Sequence, residues 1–190
     1  MVRKRMSFEE RREEIKKAAA KVFVEKGFAN TTMENLIIEA GLSKGGFYYY
    51  YKNTIDILYD IMVDGINYRN AIIKKSLNES KKINSEFLAK EMTKKVIDNS
   101  LYMGVYVEFL LAKKRNEKLQ EMYKMLEQKT IETFKDIDID FSKLKITLDK
   151  FEFMSFFINA MIVSSNVLNS RCVLLKNKDL IEEMFLLIIK

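Results

Sequence analysis

Apolar residues recur along this chain at intervals of three and four. Ile15, Ala18, Ala19, Val22 and Phe23 follow the i, i+3, i+4, i+7, i+8 rule, which predicts an amphipathic helix from about Ser7 to Lys26. Gly27 stops it in the position that favours a left-handed residue. Thr31 with Glu34 three residues later reads as a capping box opening a two-turn helix, with Met33, Leu36, Ile37 and Ala40 on its apolar face and Gly41 at its end. Ser43 is the expected N-cap of a short helix, Lys44 to Tyr51. Asn53 then caps a long helix that carries Ile55, Leu58, Met62 and Ile66 and runs to about Lys74. Two short helices joined by a tight turn containing glycine, behind a longer supporting helix, form a helix-turn-helix unit.

The same period continues and predicts helices near 85–97, 101–114, 117–135, 147–170 and 178–189. Asn116 caps the third of these, whose inward stripe is Leu119, Met122, Tyr123, Leu126 and Thr130. Asp136 to Asp140, DIDID, alternates like a strand but is acidic and isolated, so a loop is expected. The predicted fold is all-α with about nine helices. Residues 1–52 hold the three-helix helix-turn-helix module, and residues 53–190 form a larger helical domain.

Composition narrows the class. Hydrophobic residues at 48% against charged residues at 32% are a globular balance, and with no proline long helices run uninterrupted. The most apolar stretch, Phe153 to Leu168, is short for a membrane span and contains Ser155, Asn159, Ser164, Ser165 and Asn166, so it reads as a buried or interface helix. The basic N-terminus is followed by mixed charge where a signal peptide needs an apolar run. With one cysteine, Cys172, the default is a cytoplasmic thiol. Residues 1–52 hold 11 Lys/Arg against 7 Asp/Glu, most of the chain's net +6. That favours an N-terminal polyanion contact, although on charge alone a solvated basic face serves equally. Arg3, Lys4 and Arg5 read as an arm for phosphates or a minor groove, or as a solubilising tail.

Enzyme chemistry finds little support. No histidine occurs, which removes the usual general base and the commonest metal ligand, and no phosphate loop or cysteine cluster is present. No cofactor and no metal site are expected. Glu108, inside GVYVEFLLA, reads as a helix-face glutamate bonded to a tyrosine or turned to solvent rather than as a catalytic acid.

The stretch AAAKVFVEKGFANTTMENLIIEAGLSKGGFYYYYKNTIDIL, Ala18 to Leu58, resembles the DNA-binding region of the TetR family of bacterial transcriptional regulators. The matching parts are Phe23 with Gly27-Phe28, Thr31-Thr32, Ala40-Gly41, and Ser43-Lys44-Gly45 followed by the aromatic run. The resemblance implies a homodimer joined through the last two helices, with helices 1 to 3 on a double-stranded DNA operator and helices 4 to 9 around a small molecule that alters DNA affinity. Two positions depart from the pattern. Thr54 stands where the family has a lysine that meets a phosphate, and Ile37 where it prefers alanine.

Helical phase sorts the aromatic run. With Phe47 at zero and about 100° per residue, Tyr51 falls at about 40° and shares the core face. Tyr49, at about 200°, points away, and Tyr48 and Tyr50 lie on opposite flanks. Lys44, Gly45, Tyr48 and Tyr49 then form one outward face, and Tyr50 shares the other flank with Gly46. Two glycines in a first turn cost about 1 kcal/mol each against alanine, which close approach of the backbone to DNA would explain. The candidate DNA-binding residues are Thr31, Thr32, Ser43, Lys44, Gly45, Gly46, Tyr48, Tyr49 and Lys52. By the resemblance, Phe87, Met92, Tyr102, Tyr106, Phe109, Phe153, Phe157 and Met161 surround the effector, an aromatic and methionine lining suited to a flat or lipophilic molecule. The expected function is a ligand-responsive repressor on a palindromic operator. The competing readings are a small helical enzyme using carboxylates, and a helical protein that binds membranes or partner helices without specific DNA binding.

Overall fold

A computed structural model describes residues 6–80, 82–137, 144 and 146–190. The Arg3-Lys4-Arg5 arm and most of the DIDID loop lie outside these residues. The described chain is all-α, with no strand and ten helices: α1 Phe8–Lys26, α2 Met33–Ala40, α3 Lys44–Tyr50, α4 Thr54–Ser80, α5 Ser85–Val96, α6 Leu101–Lys113, α7 Glu117–Asp136, α8 Leu148–Val167, α9 Arg171–Lys176 and α10 Lys178–Ile189. The helix beyond the expected nine is α9, six residues long and too short to show a period. The long helix α4 runs to Ser80, beyond the expected end near Lys74. No described helix is long and apolar enough to cross a membrane.

Two compact units are present. The first takes the chain up to Gly65 together with Ser100–Leu126; the second takes Ile66–Asn99 and Glu127–Lys190. Helices α4 and α7 therefore each contribute to both. In the first unit Ile15, Ala19, Phe23, Leu36, Phe47, Ile57, Leu58, Val105, Phe109 and Leu119 are fully buried. Helix α6 lies against α1 so closely that a Cβ at Gly104 would stand 2.9 Å from Val24 Cγ2, so a side chain there would force Val24 to shift. In the second unit α10 packs on α5 and α8, burying Ile181, Phe185 and Ile189 with Phe87, Met154 and Ile162.

Caps set the boundaries. Ser7 and Glu10 form a reciprocal capping box at the start of α1, which the sequence contained and the period alone did not reveal. Gly27 ends α1 at φ 81°, and a 3-10 turn, Phe28–Asn30, follows. The box expected at Thr31 and Glu34 sits one residue later, with Thr32 as cap and Asn35 as its partner. The cause is Thr31 itself: its hydroxyl donates to the Gly27 carbonyl at 2.9 Å and its side chain is buried.

Candidate nucleic-acid interface

Helices α2 and α3 meet at Gly41, which adopts φ 62°, ψ 31°, the left-handed conformation a side chain resists. Leu42 N–H donates to the Ile37 carbonyl and Gly41 N–H to that of Ile38, a Schellman closure that stops α2 and redirects the chain. Ser43 opens α3 by accepting the Gly46 N–H at 3.2 Å. Lys52 closes it, donating to the Tyr48 carbonyl at 2.6 Å. Asn53 caps α4 by accepting from the Asp56 N–H at 2.9 Å, and Thr54 is the first residue of that helix.

The expected phase of α3 is observed. Phe47 and Tyr51 are 0% and 3% exposed, and Tyr49 is 70% exposed. Tyr51 lies one residue past the helix in extended conformation and still reaches the core. Its hydroxyl donates to Asp60 at 2.8 Å and accepts from Arg12 Nε at 3.3 Å. Burial pushes this phenol up to about 12, so it keeps its proton and remains a donor. Tyr50 packs on Phe8 of α1 with ring centres 4.9 Å apart, and Phe8 also meets Tyr49 edge-on at 5.8 Å. No sequence signal singled out Phe8, Arg12 or Asp60, because their partners lie 9 to 48 residues away.

The two glycines of α3 differ. A Cβ at Gly46 would stand 3.1 Å from the Ser43 hydroxyl, so the N-cap already restricts that position. Among the described residues nothing lies within 4 Å of a Cβ at Gly45, and its backbone is helical. Neither its conformation nor packing among the described residues requires glycine at residue 45. Thr32, Ser43, Lys44, Gly45, Tyr49 and Lys52 are exposed, and Gly46 and Tyr48 are half-buried. Thr31 is the exception among the expected DNA contacts, since its side chain faces inward.

Glu108 on α6 is half-buried and takes a backbone partner in place of the expected tyrosine. It accepts the Phe28 N–H at 3.3 Å, and burial raises its carboxyl above the ordinary range while that hydrogen bond opposes the rise. It caps the 3-10 turn. The residues expected to bind an effector divide between the units. Tyr102, Tyr106 and Phe109 lie in the first, with Phe109 fully buried; Phe87, Met92, Phe153, Phe157 and Met161 lie in the second. Phe153 is half exposed and stacks parallel to Phe157, which meets Phe185 edge-on at 5.7 Å. None of these eight lines the cleft of about 370 Å³ in the first unit, whose walls include Arg12, Tyr50, Tyr59, Asp60, Met122 and Met125.

A supporting helix, a capped two-turn helix and a short helix joined at a left-handed glycine define the class: a helix-turn-helix module. The particular family follows from comparison, since residues 15–59 match the bacterial regulatory proteins of the tetR family. The chain carries the DNA-binding helix-turn-helix of the TetR family. The uncharacterized HTH-type transcriptional regulator YfiR of Bacillus subtilis is 39% identical over 59 residues, which span 31% of this chain and 29% of that protein. Beyond this segment the likeness is one of fold. The fatty acid degradation regulator FadR of Bacillus halodurans superposes with a TM-score of 0.73 at 14% identity, covering 96% of this chain and 97% of that one. FadR from Bacillus subtilis, solved in complex with stearoyl-CoA, gives 0.69 at 15% identity, covering 92% and 97%.

Proposed function

We propose that this protein is a transcriptional repressor that binds a palindromic operator as a homodimer and leaves it when a small lipophilic or aromatic effector binds. Gly45 carries the DNA-binding part of this reading. An exposed helical glycine costs about 1 kcal/mol against alanine, and nothing among the described residues asks for it. Close approach of the α3 backbone to a base edge or phosphate does. Around it Lys44, Tyr48 and Tyr49 supply a charge and two phenols for phosphate and thymine-methyl contacts, with Thr32, Ser43 and Lys52 at the phosphate rims. The N-terminal module, 1–52, reads DNA, and 53–190 serves dimerisation and effector binding. Thr54 gives α4 a neutral donor where the family has a lysine, and Lys52 is the nearer cation.

The decisive experiment selects bound duplexes from a random pool and repeats the titration with Gly45→Ala. The variant is expected to be as stable as the parent or up to about 1 kcal/mol more stable, and to lose at least tenfold in affinity for the selected site. Full affinity in the alanine variant would refute close approach at this residue.

Dimerisation rests on apolar residues left outside the core of the second unit. Leu180, Met184 and Leu187 form an i, i+4, i+7 stripe on α10, and Phe156 and Val167 are exposed on α8. Ile181 and Phe185, on the other side of α10, are buried in the chain's own core. Leu187→Asp should therefore convert a dimer into a folded monomer by light scattering and weaken operator binding, because two recognition helices must sit about 34 Å apart. An unchanged dimer would move the interface elsewhere. An effector that favours a conformation with the wrong spacing releases DNA, with coupling of about 1–3 kcal/mol. The FadR structure holding stearoyl-CoA supports a lipophilic effector, and α4, continuous through both units, is the lever through which it acts.

A further inference from the structure

Two side chains on α1 face the recognition helix without belonging to the proposed DNA contacts. Phe8 packs on Tyr50 with ring centres 4.9 Å apart and planes tilted by 32°, and meets Tyr49 edge-on at 5.8 Å. Arg12, one turn along, lies 5.9 Å from the Phe8 ring centre and 5.3 Å from that of Tyr51. Its Nε donates to the Tyr51 hydroxyl, and its Nη2 pairs with the Asp60 Oδ2 that also accepts the Tyr51 proton.

We propose that Phe8 and Arg12 are positioning residues for DNA readout, fixing the rotation of α3 about its own axis and tying its C-terminal end to α4 through Asp60. The inference rests on the DNA-binding reading above. Helix α3 is seven residues long and two of them are glycine, too short and too weak a sequence to hold itself. Its buried anchors, Phe47 and Tyr51, lie on one face, so they resist lifting of the helix better than rolling. Phe8 supplies the missing contact on the Tyr50 flank and sets the angle at which Tyr49 is presented. Arg12 then locks the Tyr51 end with a planar fork that a lysine cannot reproduce. Joining α1 to α4 is not its distinct task, because Lys16 pairs with Asp64 one turn further along both helices. Its link to Tyr51 is.

The test uses the full chain with Phe8→Ala, Phe8→Trp, Arg12→Gln and Arg12→Lys. Three quantities are read: the affinity ratio of selected to random duplex, the salt dependence of binding, and hydrogen exchange at amides 47–51. Positioning predicts that Phe8→Ala and Arg12→Gln each lose at least tenfold in the ratio and exchange faster at 47–51, with α2 unchanged. The salt slope stays as in the parent, Phe8→Trp restores the ratio, and Arg12→Lys does not. A slope flattened by about one ion in Arg12→Gln, with full rescue by lysine, would make Arg12 a phosphate contact and overturn the proposal. If the Gln variant fails to fold, Tyr51→Phe replaces it, removing the same hydroxyl while keeping the ring. Should the parent prefer no duplex, the DNA reading fails by itself, and unchanged exchange at 47–51 in Phe8→Ala would separately refute the positioning role.

Discussion

Replacing Tyr49 by alanine is expected to abolish specific DNA binding in a protein that still folds, whereas alanine at Tyr51 should unfold the module that binds. The two residues are near neighbours of one type, and the contrast comes from their surroundings. Tyr49 is 70% exposed, and its ring meets those of Phe8 and Tyr50 edge-on. Such aromatic pairs contribute about 0.5–1.5 kcal/mol, less when solvated, so the thermal midpoint should barely move. Loss of a central readout side chain is expected to reduce affinity for the selected operator by about a hundredfold, roughly 2.7 kcal/mol. Tyr51 is 3% exposed, and its removal opens a cavity and strips Arg12 and Asp60 of a hydroxyl they share. Truncation of a buried aromatic costs about 3–5 kcal/mol. Urea unfolding and duplex titration of both variants decide the matter. If Tyr49→Ala binds within threefold of the parent, the outward face of α3 is not the reading face.

This contrast was legible in the sequence because helical period is a local property. Phe47 and Tyr51 share a face by geometry alone, and the glycines at 27 and 41 mark helix ends whose φ values of 81° and 62° demand them. Boundaries were less legible. The pattern at Thr31 and Glu34 was a good capping box, but Thr32 and Asn35 formed an equally good one, and the Gly27 carbonyl chose between them by drawing Thr31 inward. On α10 direction was not legible. The pattern gives a helix with apolar residues on more than one side, and only the packing on α5 and α8 shows that Ile181 and Phe185 face inward while Leu180 and Leu187 face out. Contacts between side chains far apart in the chain left no pattern at all. Arg12 with Asp60, Glu108 with Phe28 and Arg69 with Glu91 are each a meeting of two elements, and periodicity within one element carries no information about its partner.

The last of these carries the largest stability effect expected in the second unit. Glu91 on α5 is 4% exposed and holds two cations at once. Its Oε2 accepts from Arg69 of α4 at 2.9 Å, and its Oε1 from Lys94 at 2.6 Å. Arg69 also donates to the Glu91 carbonyl, and Lys94 to Ser76 at 2.9 Å, so one carboxylate fastens α4 to α5. The surroundings are desolvated: Lys95 is pushed down to about 8 by burial, with the charge of Arg69 adding to the effect. Alanine at residue 91 leaves the guanidinium of Arg69 with its main counter-charge gone. Removing one partner of a buried pair costs about 3–5 kcal/mol, against 0–1 kcal/mol for an exposed pair. Thermal or urea unfolding of Glu91→Ala should show the larger figure. Glu91→Gln should recover only part of it, since the amide keeps an acceptor and loses the charge. A loss below about 1 kcal/mol would mean that water reaches the pair and that packing of α10 on α5 holds the unit instead. Replacing Arg69 and Glu91 together by methionines separates the cases further. Recovery relative to Glu91→Ala identifies the stranded cation as the source of the loss, as the physics of buried ion pairs requires.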